Sequence, residues 1–543
     1  MDKSIGVIDI GSNSVHLVVG EYHNNEYFHI IDDVKVNVRL CEGLSETGCL
    51  REDRMALGEQ TLMMFKNMCD TYRLDKVIAV ATAAVRKAKN GQVFVDLIRK
   101  TTGIEIEIIP GETEAAMDYL GAVNTIDIRD ALLMDIGGGS VEFVLIRDRK
   151  MADAVSLPFG SIDLTEKFEL EDVATPGRLK SLHAFLEDAF SKVDLFEKAR
   201  GLPVLGVGGT IRNIGRIHRR VVDYPLEIAH NYRMCVDEVA RICHMTAKMN
   251  LEERKNLKGL SKGRTDIFVG ASQAVYKVMQ TIFSPELIIS DAGLRDGLIF
   301  KHFGNGPEDL VHNIFDNSLV NTMLNYDVNI PHAYHVYGLS VKLFEQLAAL
   351  HGIKEDVSRM MKTSAMLHDV GIKIQYSNHH EHSFYLILNS GLEGLLQKEL
   401  LMSAFIALNH RTNKKVKVEA EYMTLLCEED KRLIDKLSLF LQIAEYLDRS
   451  MDGIVKDIDC NIKDDVVEMM VLTTTHSVFA DMIISECGKN SSVCWAVSSP
   501  LRTRSLRQCR LAVMQDTKNA EKSDVLTFRH FLYHKTVRTE PFI

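Results

Sequence analysis

The sequence predicts an α/β fold that contains an internal duplication and is followed by a mainly helical region. A short apolar run that ends in a turn of glycine and serine occurs twice, at residues 5–14 and 131–140, and its aspartates, Asp9 and Asp135, are 126 positions apart. Strand-like and helix-like periodicities alternate through the first 305 residues, which is typical of layered α/β structure. From about residue 306 the pattern changes to long helical segments with few strand signals.

Each copy of the duplicated run predicts a buried strand, a tight turn and a second strand, at residues 5–10 and 15–19 in the first copy and at residues 131–136 and 141–146 in the second. Between the copies the periodicity predicts a strand, a helix, a strand and a helix, at residues 76–81, 91–102, 104–109 and 112–123. After the second copy it predicts a helical stretch and two strands that are each followed by glycine, at residues 178–198, 204–207 and 286–290.

The last part of the chain is less regular. Helical periodicity continues to about residue 455, and residues 456–473 alternate like a pair of strands, so we expect a small α+β tail. Residues beyond 485 show no clear period. Two interpretations of this segment stay open: a variable solvated tail, or an arm that binds a polyanion through clustered cations. It contains Cys494, Trp495, Arg502, Arg504, Arg507 and Arg510.

The composition excludes several broad classes of protein. With 543 residues, the chain is long enough for three or four domains of roughly 100 to 200 residues each. Its hydrophobic content of 46% and charged content of 26% are those of globular proteins and argue against wholesale disorder. The net charge of −11 argues against a chain that chiefly coats nucleic acid, although local groups can still bind anions.

The sequence also predicts a cytoplasmic protein. No apolar run approaches the roughly 18 to 20 residues of a membrane span, and residues 1–4 lead directly into a strand instead of a signal peptide. The ten cysteines include no CxxC pair, so neither a thiolate zinc site nor a redox motif is indicated, and we expect reduced thiols.

Three glycine-rich turns at strand ends are candidate phosphate-binding elements. Backbone N–H groups in such turns can converge on an anion, because glycine allows close approach and positive φ. A carboxylate at the end of the preceding strand, as at Asp9 and Asp135, can hold Mg²⁺ beside the phosphate, directly or through water. One such turn is weak support, whereas three together favour an anion site. The candidate residues are Gly11, Ser12, Asn13, Ser14, Gly137, Gly138, Gly139, Ser140, Gly208, Gly209 and Thr210.

Ten short segments carry a closer resemblance. In the first 298 residues they read, in order, VIDIGSNS, ATAAVRKAKN, IIPGETEAAMDYLG, LLMDIGGGSVEFV, GVGGT and SDAGLRDGL. The helical region adds YHVYGLSVKL, LHDVGI, HHEHSFYLI and AEYLDRS. Together these segments resemble the Ppx/GppA family of exopolyphosphatases and guanosine pentaphosphate phosphohydrolases, and the likeness covers roughly four fifths of the chain.

The resemblance implies a fold and an activity. It implies two actin-, Hsp70- and sugar-kinase-like (RNase H-like) lobes around a cleft, at residues 1–125 and 126–305. An all-α HD-like domain would follow at residues 306–455 and a small C-terminal α+β region at residues 456–543. The implied reaction is the removal of a terminal phosphate from polyphosphate or from pppGpp, with Mg²⁺ as cofactor. We also expect a homodimer, with no specific nucleic acid partner and no membrane span.

The family's catalytic glutamate matches Glu114. Hydrolysis of a phosphoanhydride needs a carboxylate that orients and deprotonates water, together with donors that offset the phosphate charge. Glu112 and Glu114 would equally suit the first turn of a helix, where the macrodipole stabilises a carboxylate without any catalytic role.

Glu142 and Arg86 complete the residues that the resemblance implies for the cleft. Strand side chains alternate, so Glu142 shares a face with Ser140 and could hold Mg²⁺ with Asp135; the alternative is a solvent-facing strand glutamate. Arg86 is the candidate phosphate clamp, because guanidinium offers forked donors to anionic oxygens, although surface arginines are common.

The helical region carries a second candidate site. His335, His368, Asp369 and Asp448 have the order and type of ligands found in HD-domain metallophosphohydrolases, and they suit a divalent transition metal. The competing interpretation is an HD fold that binds nucleotide or mediates dimerisation without turnover. Further histidines could add ligands, although most single histidines are ordinary surface or core residues: His379, His380, His382 and His410.

Two rival functions stay open. A sugar-kinase-like phosphotransferase that uses ATP would share the glycine turns, but it would need an acceptor pocket. A non-catalytic regulator that binds alarmone or polyphosphate would not require the base, so Glu114, Asp135 and Glu142 argue against it.

Overall fold

The computed structural model describes residues 3–23, 27–304, 310–411, 421–463, 466–474, 508–515 and 525–526. The chain divides into two compact units, Met1–Asn321 together with Glu393–Gln397, and Thr322–Leu392 together with Lys398–Ile543. The first unit therefore includes both copies of the duplicated run and extends past the expected boundary at residue 305. A short segment of the helical region also belongs to it.

The first unit contains two β-sheets with helices packed on them. Its described strands are β1 (Lys3–Ile10), β2 (Val15–His23), β3 (Tyr27–Val36), β4 (Lys76–Ala81), β5 (Ile106–Ile108), β6 (Ala131–Ile136), β7 (Val141–Arg147), β8 (Lys150–Leu157), β9 (Val204–Val207), β10 (Tyr232–Cys235) and β11 (Glu286–Ile289). Its described helices are α1 (Leu44–Thr47), α2 (Glu52–Tyr72), α3 (Ala83–Lys87), α4 (Gly91–Thr102), α5 (Gly111–Val123), α6 (Ser161–Phe168), α7 (Pro176–Ser191), α8 (Leu195–Lys198), α9 (Gly209–Val221), α10 (Val236–Ala247), α11 (Leu251–Lys255), α12 (Phe268–Thr281) and α13 (Leu294–Phe303), with a 3₁₀ turn at Lys262–Arg264.

The two sheets repeat one topology. The first has the order β3-β2-β1-β4-β5, in which β1, β2 and β3 are antiparallel neighbours and β1, β4 and β5 are parallel. The second has the order β8-β7-β6-β9-β11, with the same directions, and gains β10 as an antiparallel edge strand. The predicted duplication and the predicted two-lobed, actin-like fold class are therefore confirmed.

The central strands form because their sequences are apolar on both faces. In β1, Ile5, Val7, Ile8 and Ile10 are all buried, as expected for a strand that is covered on both sides. Residues of β1, β6 and α5 belong to one apolar cluster that both sheets share, in addition to a separate core in each lobe. Helix α5 thus packs in the apolar cluster that the two sheets share, and this packing positions its first turn.

The second unit is mainly helical. Its described helices are α14 (Ile314–Asn325), which spans the division between the units, α15 (Ile330–Gln346), α16 (Ala348–His351), α17 (Ser358–Leu367), α18 (His379–Asn389), α19 (Gln397–Leu408) and α20 (Glu428–Leu447), with 3₁₀ turns at Val370–Lys373, Asn409–Arg411 and Tyr422–Leu425. Helix α15 packs against both α17 and α20. A four-stranded sheet follows with the order β12 (Val455–Lys463), β13 (Val466–Thr473), β14 (Gln508–Gln515) and β15 (Val525–Leu526).

The C-terminal expectations have separate outcomes. The strand pair expected at residues 456–473 is present as the antiparallel pair β12 and β13. Arg510 lies on β14, whereas the remaining residues of the irregular segment lie outside the described part of the chain: Cys494, Trp495, Arg502, Arg504 and Arg507. Among the described helices, none combines the length and the apolar character that crossing a bilayer requires.

Candidate active site

A polar cleft in the first unit gathers residues from the carboxyl ends of parallel strands in both sheets, which is the usual ligand position in open α/β folds. Thr82 follows β4 and Gly208 follows β9 at this edge. The predicted residues that line the cleft are Asp9, Gly11, Ser12, Asn13, Ser14, Glu114, Asp135, Gly137, Gly138, Ser140, Gly208 and Gly209. Four other predicted residues lie outside this lining: Arg86, Gly139, Glu142 and Thr210.

The first two glycine turns have the same backbone geometry. The N–H of Gly11 donates to the carbonyl of Ser14 at 3.0 Å, and the N–H of Gly137 donates to the carbonyl of Ser140 at 3.0 Å. Because the hydrogen bond closes the turn between two antiparallel strands, each turn presents its remaining N–H groups at the strand ends. Backbone N–H groups in such turns are suited to bind a phosphate.

The residues across these two hairpins differ. Asp9 pairs in register with His16, and Asp135 pairs with Glu142. Burial, together with nearby cations of which Arg295 acts most strongly, lowers the pKa of His16 to about 2, so the imidazole is neutral. Equivalent positions therefore hold a neutral side chain in one lobe and an acidic side chain in the other.

The glycines of the cleft allow close approach. A Cβ atom at Gly138 would lie 2.7 Å from the Cβ of Ser12, so the two duplicated turns face each other at this point. Gly208 has φ of 89°, and a Cβ there would lie 2.1 Å from Oδ1 of Asp135. Any larger residue at position 208 would displace this carboxylate.

Five carboxylates lie in or beside the cleft. Glu114, Asp118 and Glu142 are buried, and Asp9 and Asp135 are partly buried. Burial is the main cause that raises the pKa of each, to about 6 for Asp9 and about 7 for Glu114. Asp118 was not predicted, although it lies one helical turn after Glu114 on α5 and so shares its face.

Four of these carboxylates have an oxygen with no hydrogen-bond partner among the described residues: Oδ1 of Asp9, Oδ2 of Asp118, Oδ1 of Asp135 and Oε2 of Glu142. The other oxygen of Glu142 accepts a hydrogen bond from Oγ of Ser156 at 2.9 Å. Buried anionic oxygens without donors are costly unless a cation or a proton satisfies them. This donor set therefore fits a hard divalent cation, which prefers oxygen ligands.

Arg86, the candidate phosphate clamp, contacts Glu114 and Ile109 in the structure. Its guanidinium donates to Oε2 of Glu114 at 3.0 Å and to the carbonyl of Ile109 at 2.7 Å. Helix α3 is short and brings Arg86 to the start of α5, where Nη1 makes both of these hydrogen bonds. This contact holds the Arg86 guanidinium beside Glu114, and its positive charge partly opposes the effect of burial on the pKa of that carboxyl.

Four other cations line the cleft: Lys35, Arg212, Arg264 and Arg295. Burial and repulsion from neighbouring cations lower the pKa of Lys35 to about 8 and that of Arg264 to about 10. Holding these like charges close together costs electrostatic free energy, and a bound polyanion would offset that cost. Arg212 follows the third glycine turn and Arg295 lies within SDAGLRDGL, so motif position could have indicated both. Lys35 and Arg264 have no such signal.

The second unit brings together a set of ligand atoms that differs from the predicted one. The predicted His368 and Asp369 form a compact group with His332 and Glu445, whose ligand atoms all lie within 4.8 Å of one another. His335 instead lies 2.8 Å from Asp448 through Nδ1 and 2.7 Å from the carbonyl of Val455 through Nε2. Asp448 also contacts Nδ1 of His332 at 2.7 Å. Geometry therefore favours His332 and Glu445 in place of His335 and Asp448.

Two duplicated α/β lobes with glycine turns, buried carboxylates and arginines around one cleft define an enzyme that acts on phosphate groups. The sequence model of the Ppx/GppA phosphatase family matches residues 17–305, and the model of domain III of the Ppx/GppA phosphatases matches residues 314–483. The chain belongs to the Ppx/GppA phosphatase family and is a hydrolase. The predicted family and enzyme class are confirmed.

Relatives with assigned names are similar over most of the chain. A guanosine-5'-triphosphate,3'-diphosphate pyrophosphatase of Pseudoalteromonas translucida is 24% identical over 507 residues, which are 90% of this chain and 97% of that protein. A putative exopolyphosphatase of Haemophilus influenzae is 27% identical over 302 residues, 55% of this chain and 91% of its own length. The crystal structure of an exopolyphosphatase from Cytophaga hutchinsonii is 25% identical with a TM-score of 0.53, and the match covers 55% of this chain and 98% of that structure.

Proposed function

We propose that this enzyme releases orthophosphate from the end of polyphosphate, or from pppGpp to form ppGpp, in the cytoplasm. The single observation that carries the proposal is the position of Glu114, a buried carboxylate with a pKa near 7 that lines a cleft of glycine turns and cations. Both named substrates end in a phosphoanhydride, and both are strongly anionic. The names of the relatives support the same two substrates.

In the proposed reaction a water oxygen attacks the terminal phosphorus and the bridging P–O bond breaks. Glu114 accepts the proton of the water, and Arg86 holds this carboxylate in position. Arg212, Arg264, Arg295 and the N–H groups of the turns bind the phosphate oxygens. Orthophosphate leaves with the added oxygen, and the shortened chain keeps the bridging oxygen.

The carboxylates of the cleft are suited to Mg²⁺. Asp9, Asp135 and Glu142 would hold the ion, because each has a buried oxygen without a donor. Bound Mg²⁺ would offset phosphate charge and polarise the attacked phosphorus.

Loss of a metal carboxylate is expected to change the metal requirement. In Asp135→Asn or Glu142→Gln, the Mg²⁺ concentration for half-maximal phosphate release should rise by roughly 10- to 100-fold, because one anionic ligand or supporting group is lost. Asp153→Asn is the matched control, since Asp153 is a carboxylate of the same sheet that pairs with Lys198. Unchanged Mg²⁺ titrations of both cleft variants would refute the assignment.

The rate should depend on pH through Glu114. The base acts only when it is deprotonated, so kcat/KM is expected to rise as the pH increases through about 7. Arg86 lowers the pKa of Glu114, and Arg86→Gln should therefore move the acid limb of the pH profile to higher pH. An acid limb at the same pH in both proteins would mean that another group titrates.

One set of assays separates this proposal from its rivals. Purified enzyme with Mg²⁺ is incubated in parallel with polyphosphate alone, with pppGpp alone, and with ATP plus a panel of sugars. Release of orthophosphate from either of the first two supports the hydrolase and ranks its substrates. Phosphoryl transfer from ATP to a sugar would establish a kinase instead, and tight binding of pppGpp without release would establish a regulator.

A further inference from the structure

Asp118 is a carboxylate of the cleft that the proposed reaction does not use. It lies on α5, one helical turn after Glu114, and its side chain lines the cleft. Only 1% of Asp118 is exposed. Removing a charged group so completely from water is costly unless a partner satisfies it.

The turn before α13 holds this carboxylate beside the second sheet. Helix α5 approaches the turn closely, because a Cβ at Gly121 would lie 2.2 Å from the carbonyl oxygen of Gly293. A Cβ at Gly293 would in turn lie 3.0 Å from Oδ1 of Asp118 and 2.7 Å from Cγ1 of Val207. Val207 ends β9 and pairs in register with Asp135 on β6. Asp118 therefore lies next to the strand end from which Asp135 enters the cleft.

The protein does not satisfy Asp118 as it satisfies the neighbouring glutamates. Oε2 of Glu114 accepts a hydrogen bond from Arg86 at 3.0 Å, and Oε1 of Glu142 accepts one from Ser156 at 2.9 Å. Oδ2 of Asp118 is buried and has no hydrogen-bond partner among the described residues. This oxygen is therefore available to a group that is bound in the cleft.

The charges around Asp118 are also unbalanced. Arg86 lowers the pKa of Glu114, and Arg212 lowers that of Asp135. The four charges that act most strongly on Asp118 are all carboxylates: Asp135, Glu114, Glu142 and Asp9. Burial and this repulsion hold the pKa of Asp118 well above its usual range. A cation bound nearby would offset the repulsion.

The spacing of the cleft carboxylates favours contact through water. Among the described residues, every group of three or more candidate ligands within 4.8 Å of one another lies in the second unit. Mg²⁺ typically keeps several of its waters and binds only one or two carboxylates directly. Other carboxylates around such an ion accept hydrogen bonds from its waters, and their loss weakens binding of the metal.

We propose that Asp118 is a further carboxylate of the cation site in the cleft, and that its Oδ2 accepts a hydrogen bond from a water of the bound divalent ion. The inference rests on the Mg²⁺ of the proposed function. It gives Asp118 a part in the affinity for the cation, whereas the proton of the attacking water still goes to Glu114. Asp118 is thus a positioning residue.

Binding of Mn²⁺ to the full-length protein tests this role without substrate. Mn²⁺ suits the same oxygen ligands as Mg²⁺, and the electron paramagnetic resonance signal of free Mn²⁺ gives the dissociation constant. Every protein compared carries Asp369→Ala, because Asp369 is shared by both ligand groups of the second unit. Asp118→Asn should raise the Kd for Mn²⁺ by roughly 10- to 100-fold, because the amide lacks the negative charge. An unchanged Kd would overturn the proposal.

A control variant and a thermal melt separate a metal-binding role from a structural one. Glu112→Gln removes an exposed carboxylate of the same helix and should leave the Kd unchanged. Without metal, Asp118→Asn should unfold at or above the temperature of its parent protein, because the amide removes repulsion between buried charges. A lower unfolding temperature together with weaker Mn²⁺ binding would show that Asp118 supports the fold, and would overturn its assignment to the cation.

Steady-state kinetics separate Asp118 from the proton transfer. In the otherwise unchanged enzyme, Asp118→Asn should need roughly 10- to 100-fold more Mg²⁺ for half-maximal phosphate release but recover most of kcat at saturating Mg²⁺. A kcat that stays low at saturating Mg²⁺ would place Asp118 in the chemical step and refute its role in metal affinity.

Failure of this inference and failure of the proposed function give different results. Binding of Mn²⁺ is measured without polyphosphate or pppGpp, so a weaker affinity in Asp118→Asn supports the inference even if the enzyme hydrolyses neither substrate. Release of phosphate by the wild type, with equal Mn²⁺ binding in wild type and variant, would instead leave the proposed function intact and refute the role of Asp118.

Discussion

Replacing Glu114 by glutamine is expected to lower the rate of phosphate release by roughly 10²- to 10⁴-fold, the usual effect of losing a general base. The amide keeps the size of the side chain and can still accept a hydrogen bond from Arg86, which lies 3.0 Å from Oε2. It cannot accept the proton of the attacking water. The loss should therefore fall on kcat, while equilibrium binding of polyphosphate or pppGpp to the variant stays close to that of the wild type.

Glu112→Gln is the matched control for this variant. Glu112 lies in the same first turn of α5 but is exposed, so any effect of the helix macrodipole is similar for the two residues. A large loss at Glu114 with little change at Glu112 supports the base. Near wild-type turnover of Glu114→Gln would exclude it from that role.

Gly208→Ala is expected to reduce activity by about 10²-fold, the size of effect that a displacement of about 1 Å in a catalytic constellation can produce. The added Cβ would lie 2.1 Å from Oδ1 of Asp135, so either the carboxylate or the turn must move. The positive φ of 89° adds backbone strain of roughly 1 to 3 kcal/mol. Steady-state kinetics at saturating Mg²⁺, together with a thermal melt, would measure both effects.

Gly201→Ala separates strain from displacement. Gly201 has a similar φ of 78°, but a Cβ there would meet no atom within 4 Å. We expect a comparable loss of stability and nearly unchanged kinetics in this control. If both variants lose the same activity, or if neither loses activity, then contact between the added Cβ and Asp135 is not what makes glycine necessary at position 208.

The parts of the fold that were predicted correctly depend on local signals. The apolar strands β1 and β6 and their glycine turns are visible in the sequence because burial on both faces leaves an uninterrupted apolar run. Strand β3 and helix α2 were not predicted, since β3 mixes apolar and acidic residues along an exposed sheet edge and α2 has only a few buried positions. Lys35 lies on β3, so the missed strand also concealed one of the cations of the cleft.

Several contacts in the two candidate sites depend on geometry that spacing does not determine. Arg86 has the chemistry of a phosphate clamp, and only the direction of α3 shows that its Nη1 donates to Glu114 and Ile109. In the helical unit, His332 precedes His335 by three residues and Glu445 precedes Asp448 by three. Residues three apart share a helix face, so the order and type of ligands could not decide which turn contributes them.

The repeated hairpin gives the cleft a direction. Two identical turns would bind a phosphate chain equally well in either orientation. An enzyme that removes only terminal groups, however, has to distinguish the end of the chain from its interior. One register position contributes to the difference between the hairpins, where neutral His16 faces Asp9 and acidic Glu142 faces Asp135. Under the proposed function two of the three carboxylates that would hold the cation, Asp135 and Glu142, belong to the second hairpin, so the two sides of the cleft differ toward a polyphosphate chain. This register difference is thus one feature that can make hydrolysis vectorial, besides the Ser12-Asn13 pair that replaces Gly138-Gly139 in the first turn.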